Sequence, residues 1–254
     1  MCLIALAWQV HADYPLIVVA NRDEFFARPT APAHWWNEAP GLLAGRDLSA
    51  GGTWLGVTRG SRFAALTNFR DPQRNRDNAA SRGALVVEAL RSADPAAAAA
   101  RMLDRRADYN PFNLLIRDGD SLLVVESEAG RIEHLAPGIH GLSNHLVDTP
   151  WPKVRRACER LRQSLAQLPV IDPLLGTLRD DRPAPDAELP DTGIPLPWER
   201  MLSSGFIRAP GYGTRSTTAV LVDRHGNGRF VEQRWDEDGQ ESGRTDERFS
   251  PPAD

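Results

Sequence analysis

The residues whose types and spacing could do chemistry begin at the second position, with Cys2. Cys2 precedes an apolar run at residues 3–8, and a second apolar run at residues 16–20 ends in the polar tetrad Asn-Arg-Asp-Glu at residues 21–24. Two strand-like runs separated by a turn predict a β-hairpin. Because an antiparallel partner returns towards the start of the first strand, the hairpin would bring the tetrad back to Cys2.

Removal of Met1 would give Cys2 both a thiol and a free α-amino group. The reference pKa values of these groups, about 8.5 and about 7.7–8.0, are close enough for a proton to pass between them at little cost. An N-terminal amine that acts as the base for its own side chain is a known way to activate a nucleophile. Such a site also needs a group that orients the amine and donors that stabilise an oxyanion.

Polar residues at the ends of predicted strands can complete such a site. A carboxylate or amide would orient the amine, and amide or guanidinium groups would donate to the oxyanion. The alternative is that Cys2 is a small buried residue on an edge strand. The candidates beside Cys2 are Arg22, Asp23, Asn68, Asn144 and Arg215.

Composition limits the classes of protein that the chain can belong to. It has 254 residues, 41% of them hydrophobic and 25% charged, which is typical of a globular protein. A formal net charge of -4 offers no basic field for nucleic acid, and two cysteines are too few for a disulfide framework, which indicates a cytoplasmic location. No apolar stretch reaches the roughly 18 residues that a membrane span needs.

The order of the predicted elements indicates an α+β protein. Strands come first, helices follow in two batches and strands return at the end, without βαβ alternation. The last strands are expected to pair with the first and to close a single domain over residues 1–236, followed by a polar, frayed tail at 237–254. The expected connections are a loop at 29–40, a turn region at 41–52, a four-stranded meander over 112–144 and a loop or lid at 179–197.

Several residues that can bind ligands have simpler interpretations. Cys158 lies on the apolar stripe of a helix predicted to begin at Thr149-Pro150, so it is interpreted as a packing residue. The histidines form no metal-binding spacing, and His140 and His145 come closest to being ligands. A group of arginines can meet phosphates or propionates, although a solvated basic loop is the favoured interpretation. These are Arg59, Arg62, Arg70, Arg74, Arg76 and Arg82.

Motifs along nearly the whole chain are similar to those of one known family. They are, in order, MCLI, ANRDEFFARP, LLAGRD, GGTWLG, ALTNFRD, NPFNLL, GLSNHLVDTPWPKV, LPDTGI, ERMLSS and YGTRSTTAVL. The chain resembles the NRDE family, also called the transport-and-Golgi-organisation family. That family resembles N-terminal nucleophile (Ntn) hydrolases of the choloylglycine and penicillin acylase kind. The resemblance implies an Ntn-hydrolase-like four-layer αββα sandwich with two mainly antiparallel sheets.

The resemblance also implies a function, a cysteine amidohydrolase that cleaves a linear amide of a small acyl compound without a cofactor. In the hydrolases the arginine and aspartate are separated in an Arg-Asn-x-Asp pattern, whereas here Arg22 and Asp23 are adjacent. Neighbouring strand residues point to opposite faces, so both reach Cys2 only if the strand ends or bulges there, and Asn21 can stand in for either. The implied roles are Cys2 as nucleophile and base, Asp23 orienting the amine, Arg22 beside the thiol, Asn68 and Asn144 donating to the oxyanion, and Arg215 supporting the site.

Members of the family are also associated with haem trafficking and with binding acyl-CoA-type lipids. The alternative function is therefore a non-catalytic carrier that holds haem or an acyl-CoA-type ligand in the same cleft.

Overall fold

The structure is a computed structural model that describes residues 2–252, so removal of Met1 lies outside the described residues. Two seven-stranded antiparallel sheets lie face to face. On the first strand, Ile4 and Leu6 point into the core between the sheets, while Leu3 and Ala5 pack against helices on the outer side. Because both faces of this strand are covered, its sequence is apolar throughout rather than alternating.

The two sheets differ in whether neighbouring strands also follow one another along the chain. The strands are β1 Cys2–Trp8, β2 Leu16–Phe25, β3 Thr30–Trp35, β4 Leu42–Asp47, β5 Leu55–Thr58, β6 Phe63–Asn68, β7 Phe112–Asp118, β8 Ser121–Glu126, β9 Arg131–His134, β10 Gly138–Leu142, β11 Arg208–Ala209, β12 Tyr212–Val222, β13 Gly228–Trp235 and β14 Glu241–Phe249. One sheet has the order β10-β1-β2-β12-β13-β14, with the short β11 paired to β12, and the other runs in sequence from β3 to β9. The helices are α1 Gly83–Arg91, α2 Pro95–Asp104, α3 Pro152–Ser164, α4 Ile171–Gly176 and α5 Leu196–Leu202.

Helices cover the outer face of each sheet. α1 and α2 pack on the sheet that contains β6 and β7, and α3 and α4 pack on the sheet that contains β1 and β2. The resulting order of layers is helix, sheet, sheet, helix, which confirms the predicted αββα fold class. Within residues 2–252, no helix is long and apolar enough to cross a membrane.

Several predicted connections are wrong. Residues 30–35 and 42–47 form β3 and β4 rather than a loop and a turn region, and β3 carries Pro32 at an irregularity of register on a sheet edge, where a missing N–H is tolerated. The predicted meander ends at β9, because β10 pairs with β1 in the other sheet. The helix predicted from Thr149-Pro150 begins at Pro152.

The expectation of a frayed tail is wrong for residues 241–249. They form β14, which pairs with β13 along its length. Exposed and partly buried residues alternate along β14, and Phe249 at its end is buried in the core between the sheets. An edge strand with a single fully buried side chain has a polar sequence, which explains why it resembles a tail.

Candidate active site

Cys2 and Arg22 are direct cross-strand partners at the open end of the β1–β2 hairpin. Their side chains share the inter-sheet face, because Ile4 on β1 and Ala20 on β2 point into the same core. The Arg22 guanidinium lies 4.4 Å from the centroid of the Trp54 ring and is 5% exposed. Within residues 2–252, its Nη1 atom has no hydrogen-bond partner. The predicted approach of the tetrad to the thiol is therefore found in the structure.

Asp23 lies one residue beyond this pair, on the side of the Cys2 backbone nitrogen. It points to the opposite face from Arg22, as the pleat requires, and is 1% exposed. Thr214 Oγ1 donates a hydrogen bond of 2.7 Å to Asp23 Oδ1. Burial raises the pKa of Asp23, while Lys153 and the bond from Thr214 act in the opposite direction. Asp23 is thus near the chain start without facing the thiol side chain.

Asn21 shares the face of Asp23 but is committed to structural hydrogen bonds. Its Nδ2 donates to the carbonyl oxygens of Leu178 and Gly205, at 3.2 and 2.8 Å. Its Oδ1 accepts a 2.6 Å bond from Thr217. These bonds tie β2 to the segments after α4 and α5, so Asn21 does not stand in for Arg22 or Asp23.

The two predicted oxyanion asparagines lie together beside Cys2. Asn68 ends β6, and Asn144 follows β10, with its Nδ2 donating 3.0 Å to the carbonyl oxygen of Asn68. Ser143 Oγ donates 3.1 Å to the carbonyl oxygen of Cys2, which fixes this loop against β1. Asn68 lines the cavity described below, and Asn144 is fully buried behind it.

Arg215 does not join this group. It sits where the register between β12 and β2 shifts, and it donates 2.9 Å hydrogen bonds to the carbonyl oxygens of Phe25 and Arg28. Its guanidinium also lies over the Phe26 ring. Arg215 therefore braces the turn after β2 and lies outside the cavity lining.

A cavity of about 410 Å³ opens at Cys2, a size suited to a small molecule. Its wall comes from β2, the end of β6, the segments around residues 47–54 and 76–83, and Asn110. Both signs of charge are present, from Arg22, Asp23, Glu24, Arg28, Asp47, Arg76, Asp77 and Arg82. Residues 179–197, expected as a loop or lid, contribute nothing to this lining. Part of that segment instead packs beside α3, where Glu188 pairs with Arg155 at 2.7 Å.

The surroundings of Cys2 favour the neutral thiol. Burial raises its pKa, and the nearby carboxylates of Asp23 and Glu24 act in the same direction. Arg22 opposes them and lowers the pKa. A thiol in this setting needs a base to become a nucleophile. By contrast, Cys158 packs among the apolar residues under α3, as predicted, and burial raises its pKa to about 11.

Lys153 is a residue of this region that the sequence analysis missed. It follows Pro152 at the start of α3 and is 3% exposed. Its pKa is lowered to about 7, mainly by burial and also by Arg70, while Asp23 and Cys2 act in the opposite direction. Its Nζ atom has no hydrogen-bond partner among the residues that the structure describes. One signal could have found it, because Lys153 is the only lysine among the 30 lysines and arginines of the chain.

Arg70 and Glu199 form a buried ion pair that sequence reasoning also missed. Their side chains, 6% and 3% exposed, meet at 2.7 Å. The Arg70 guanidinium lies 5.0 Å from the Trp151 ring centroid, and its backbone N–H donates 2.8 Å to the carbonyl oxygen of Asn144. Arg70 is therefore not part of a solvated basic loop, because it holds the segment after β6 against α5 and the loop after β10.

The histidines nearest the site serve the fold. His140 has both ring nitrogens engaged, with Asp148 at 2.7 Å and the Ala136 carbonyl oxygen at 2.8 Å. His145 contacts Thr149 at 2.9 Å and packs against aromatic rings. In the described part of the chain, no histidine lines the cavity and no cluster of three or more His, Cys, Asp or Glu residues could hold a metal ion.

The layers and the site define a class, an αββα sandwich with a thiol at the start of its first strand beside a polar cavity. The Transport and Golgi organisation 2 (TANGO2) family matches residues 1–237, and the chain belongs to that family.

Relatives and a solved structure are similar to the chain over most of its length. It is 36% identical over 244 residues to the Transport and Golgi organization protein 2 homolog of Bos taurus, and 33% identical over 240 residues to the homolog of Homo sapiens. Each alignment covers 87% of this chain and 86% of the relative. Among solved structures, the chain is similar to a Caenorhabditis elegans N-acylethanolamine-hydrolyzing acid amidase (NAAA) ortholog, with a TM-score of 0.47 and 8% identity over 87% of this chain and 92% of that one.

Proposed function

We propose that the protein is a cysteine amidohydrolase that cleaves the linear C–N amide bond of a small acyl compound, with Cys2 as its N-terminal nucleophile. The observation that carries the proposal is the direct pairing of Cys2 with Arg22 at the mouth of the cavity. Asp23, buried on the nitrogen side of Cys2, supports it because an N-terminal base needs an orienting carboxylate. The two free thiols suit a reducing cytoplasm, where we expect the protein to act.

The proposed reaction uses only groups of this chain and water. After Met1 is removed, the α-amine of Cys2 accepts the thiol proton, and the thiolate attacks the carbonyl carbon of the amide. Arg22 and the amide group of Asn68 donate to the resulting oxyanion, with Asn144 holding Asn68 from behind. The C–N bond then breaks as the ammonium returns its proton to the leaving nitrogen. Water, deprotonated by the same amine, hydrolyses the thioester and releases the acid.

Arg22 suits the oxyanion role because its guanidinium is buried and one of its nitrogen atoms has no hydrogen-bond partner among the described residues. A buried N–H group without a partner is costly unless another group accepts its hydrogen bond. The unpartnered Nη1 of Arg22 belongs to a residue that lines the cavity. An oxyanion formed on a carbonyl carbon bonded to the Cys2 sulfur would supply such an acceptor.

The first experiment is an intact-mass measurement of the protein from its own cytoplasm, followed by turnover of a panel of linear acyl amides. We expect Met1 to be absent and Cys2→Ala to abolish turnover while leaving thermal stability nearly unchanged, because Cys2 is half-buried at a strand end. Cys158→Ala is the matched control and retains turnover. A retained Met1, or turnover by Cys2→Ala, contradicts the proposal.

A second function, a non-catalytic carrier for an acyl-CoA-type ligand or haem, has one observation in its favour. Two cationic side chains, the buried Arg22 and the partly buried Arg82, line the cavity and could bind phosphate or propionate groups. Haem fits the cavity less well, because the described residues that line it offer the iron no histidine and only one thiol, that of Cys2. Titration with haem, followed by its Soret band, and with an acyl-CoA, followed by calorimetry, tests this function, and non-saturable uptake of both rejects it.

A further inference from the structure

One cation on the cavity wall has no part in the proposed reaction. Arg82 directly precedes α1, is partly buried and lines the same cavity as Cys2, Arg22 and Asn68. Its Nη1 atom donates a 3.1 Å hydrogen bond to the carbonyl oxygen of Pro111. Among the residues that the structure describes, that is the one hydrogen bond of its guanidinium, and no carboxylate lies at ion-pair distance. Most N–H groups of this side chain are therefore left for a ligand.

The bond to Pro111 places the guanidinium beside the proposed oxyanion donor Asn68. Pro111 precedes β7, whose first residue, Phe112, pairs with Asn68 at the end of β6. The same carbonyl oxygen of Pro111 accepts a 3.0 Å hydrogen bond from the backbone N–H of Phe69, the residue after Asn68. Arg82 Nη1 and the Phe69 nitrogen are thus separated by no more than two hydrogen-bond lengths. A substrate whose carbonyl group reaches Asn68 has its neighbouring atoms close to Arg82.

The backbone around Arg82 is held in place on both sides. The backbone N–H of Ala80 donates 2.9 Å to the carbonyl oxygen of Asp108. Gly83 packs so closely on Gly52 that a methyl group on Gly52 would lie 2.5 Å from the Gly83 carbonyl carbon. The position of Arg82 is therefore set before any ligand binds, which lowers the cost of ordering it.

The carboxylates of the cavity do not compensate this charge. Asp47 already has an arginine partner at 2.7 Å. Asp23 faces the helical side of β2, and Asp77 is exposed at the rim. Glu24 stands on β2 in the other sheet, and its Oε1 accepts a 2.9 Å hydrogen bond from the backbone N–H of the next residue. In the described part of the chain, none of these four forms an ion pair with Arg82.

The other unpaired arginines of the wall are less suited to a substrate anion. Arg22 is placed at the oxyanion, and Arg76 is exposed, with its Nη2 donating to two backbone carbonyl oxygens. Burial lowers the pKa of Arg82 while Cys2 and Glu24 raise it, but an arginine keeps its charge in a protein. A partly buried, permanent cation with one neutral acceptor is stabilised by a bound anion.

We propose that the substrate carries a carboxylate close to the scissile amide, and that Arg82 binds this carboxylate and so determines specificity. This inference rests on the proposed function, because it concerns the substrate of the amidohydrolase. The planar guanidinium presents paired N–H groups that match a carboxylate. Glu24 on the wall from β2 disfavours substrates with further negative charge. The carboxylate belongs either to the leaving amine, as in an N-acyl amino acid, or to the acyl group, as in a monoamide of a dicarboxylic acid.

Four compounds of similar size test this recognition. N-ethylbutyramide is the neutral reference. A carboxylate replaces the methyl group of its ethylamine in N-butyrylglycine, and that of its butyryl chain in N-ethylsuccinamic acid. N-butyrylaminomethylphosphonate carries a phosphate-type anion in place of the glycine carboxylate. Turnover is measured as released amine, on the full chain freed from a fusion whose cleavage leaves Cys2 first. We expect one of the two carboxylates to exceed the neutral amide in kcat/KM by about tenfold or more.

Substitution of Arg82 should act on the charged substrate alone. In Arg82→Gln, kcat/KM for the preferred carboxylate should fall roughly 10-fold to 100-fold, and that for N-ethylbutyramide by less than about threefold. Arg82→Lys keeps the charge without the planar fork and should be intermediate. Because one protein sample turns over both compounds, their ratio does not depend on how much of a variant folds. Arg91→Gln is the matched control, since Arg91 ends α1 outside the cavity lining, and it should leave the ratio unchanged.

The results separate this inference from the proposed function. Equal losses with the neutral and charged amides would mean that Arg82 acts on Cys2 or on the fold, which overturns the inference. A wild type that prefers the neutral amide or the phosphonate overturns it as well. If no compound is hydrolysed, calorimetric titration with the two carboxylates decides. Saturable binding that Arg82→Gln weakens by about tenfold or more keeps the carboxylate site while the amidohydrolase fails, and the absence of saturable binding overturns both.

Discussion

Alternation along β2 gives two adjacent charged residues different surroundings. Arg22 faces the core between the sheets, where it meets the cavity and the Trp54 ring. Asp23 faces the helical side, with Lys153 and Thr214. A residue at the start of a strand directs its side chain to one face of the sheet, whereas its backbone nitrogen lies at the end of the strand. The pair Arg22-Asp23 can thus act on the thiol and on the amine of Cys2 separately.

The pKa of Lys153 makes stability depend on pH in a definite direction. Its pKa is about 7 in the folded protein and 10.5 as a reference, so between these values the unfolded chain binds the extra proton. Stability therefore rises with pH across this window and falls as the pH drops to about 7. Relative to Lys153→Met, the wild-type free energy of unfolding should rise by up to about 1.4 kcal/mol per pH unit.

Urea unfolding of both proteins at several pH values between about 7 and 9 measures this difference. Parallel stability curves would mean that Lys153 keeps an ordinary pKa in the folded protein.

Arg22 should make the thiol of Cys2 more reactive. It lowers the pKa of the thiol, so Arg22→Met should raise that pKa and slow alkylation by iodoacetamide near neutral pH, by roughly threefold to tenfold. Peptide mass spectrometry separates labelling at Cys2 from labelling at Cys158. Arg28→Met is the matched control, because Arg28 lines the same cavity but pairs with Asp47 at 2.7 Å. An unchanged rate in Arg22→Met would remove Arg22 from the site.

At the scale of elements, local patterns predicted those parts whose neighbours are close in sequence. The β1–β2 and β5–β6 hairpins are found in the structure. The pairing of late strands with early ones is also found, but it was expected from the closure of a single domain, because β12 and β2 are far apart in sequence. The sequence pattern places β10 in the wrong sheet because its partner β1 is far away in sequence, and strand pairing at that distance leaves no local pattern. β3 was missed because its alanines, proline and histidine have little β-propensity.

The buried pair Arg70–Glu199 connects elements that are far apart in sequence. Glu199→Gln keeps the shape of the side chain but leaves the Arg70 charge without compensation, which should lower the free energy of unfolding by about 3 kcal/mol. Glu188→Gln is the matched control, since Glu188 also meets an arginine at 2.7 Å, but on the surface. That change should cost less than about 1 kcal/mol.

Urea unfolding compares the two variants, and hydrogen exchange at the Thr192 amide reports the local effect, because this amide donates to Glu199. Equal costs in the two variants would show that the buried pair adds nothing beyond an exposed one.

Across the whole molecule, sequence and fold account for different parts of the site. Cys2, Arg22 and Asp23 could be predicted because one hairpin brings them together, and Asn68 and Asn144 because they end predicted strands and occur in family motifs. Lys153 reaches this region only when α3 packs on the first sheet, and Glu199 joins it through its ion pair with Arg70. Their proximity is a property of the layers, and although both residues occur in family motifs, neither ends a predicted strand.

The last strand, β14, contributes one aromatic ring, that of Phe249, to the core between the sheets. Phe249 is 2% exposed and stands opposite Gly228 on β13, where a methyl group on the glycine Cα would lie 2.0 Å from the ring, so glycine leaves the space that the ring fills. Phe249→Ala should lower the free energy of unfolding by about 3 kcal/mol. Arg248→Ala, one residue earlier on the exposed face, should change it by less than about 0.5 kcal/mol.

Gly228→Ala gives the sharpest form of this test. Alone, it forces a methyl group into the Phe249 ring and should cost about 1–3 kcal/mol through overpacking. Combined with Phe249→Ala, the added methyl group enters space that the ring has vacated, so the double variant should be more stable than the two single costs predict together. Chemical unfolding of the four proteins measures this coupling. Costs that simply add, or a Phe249→Ala variant as stable as the wild type, would mean that residues 241–249 do not pack as the closing strand.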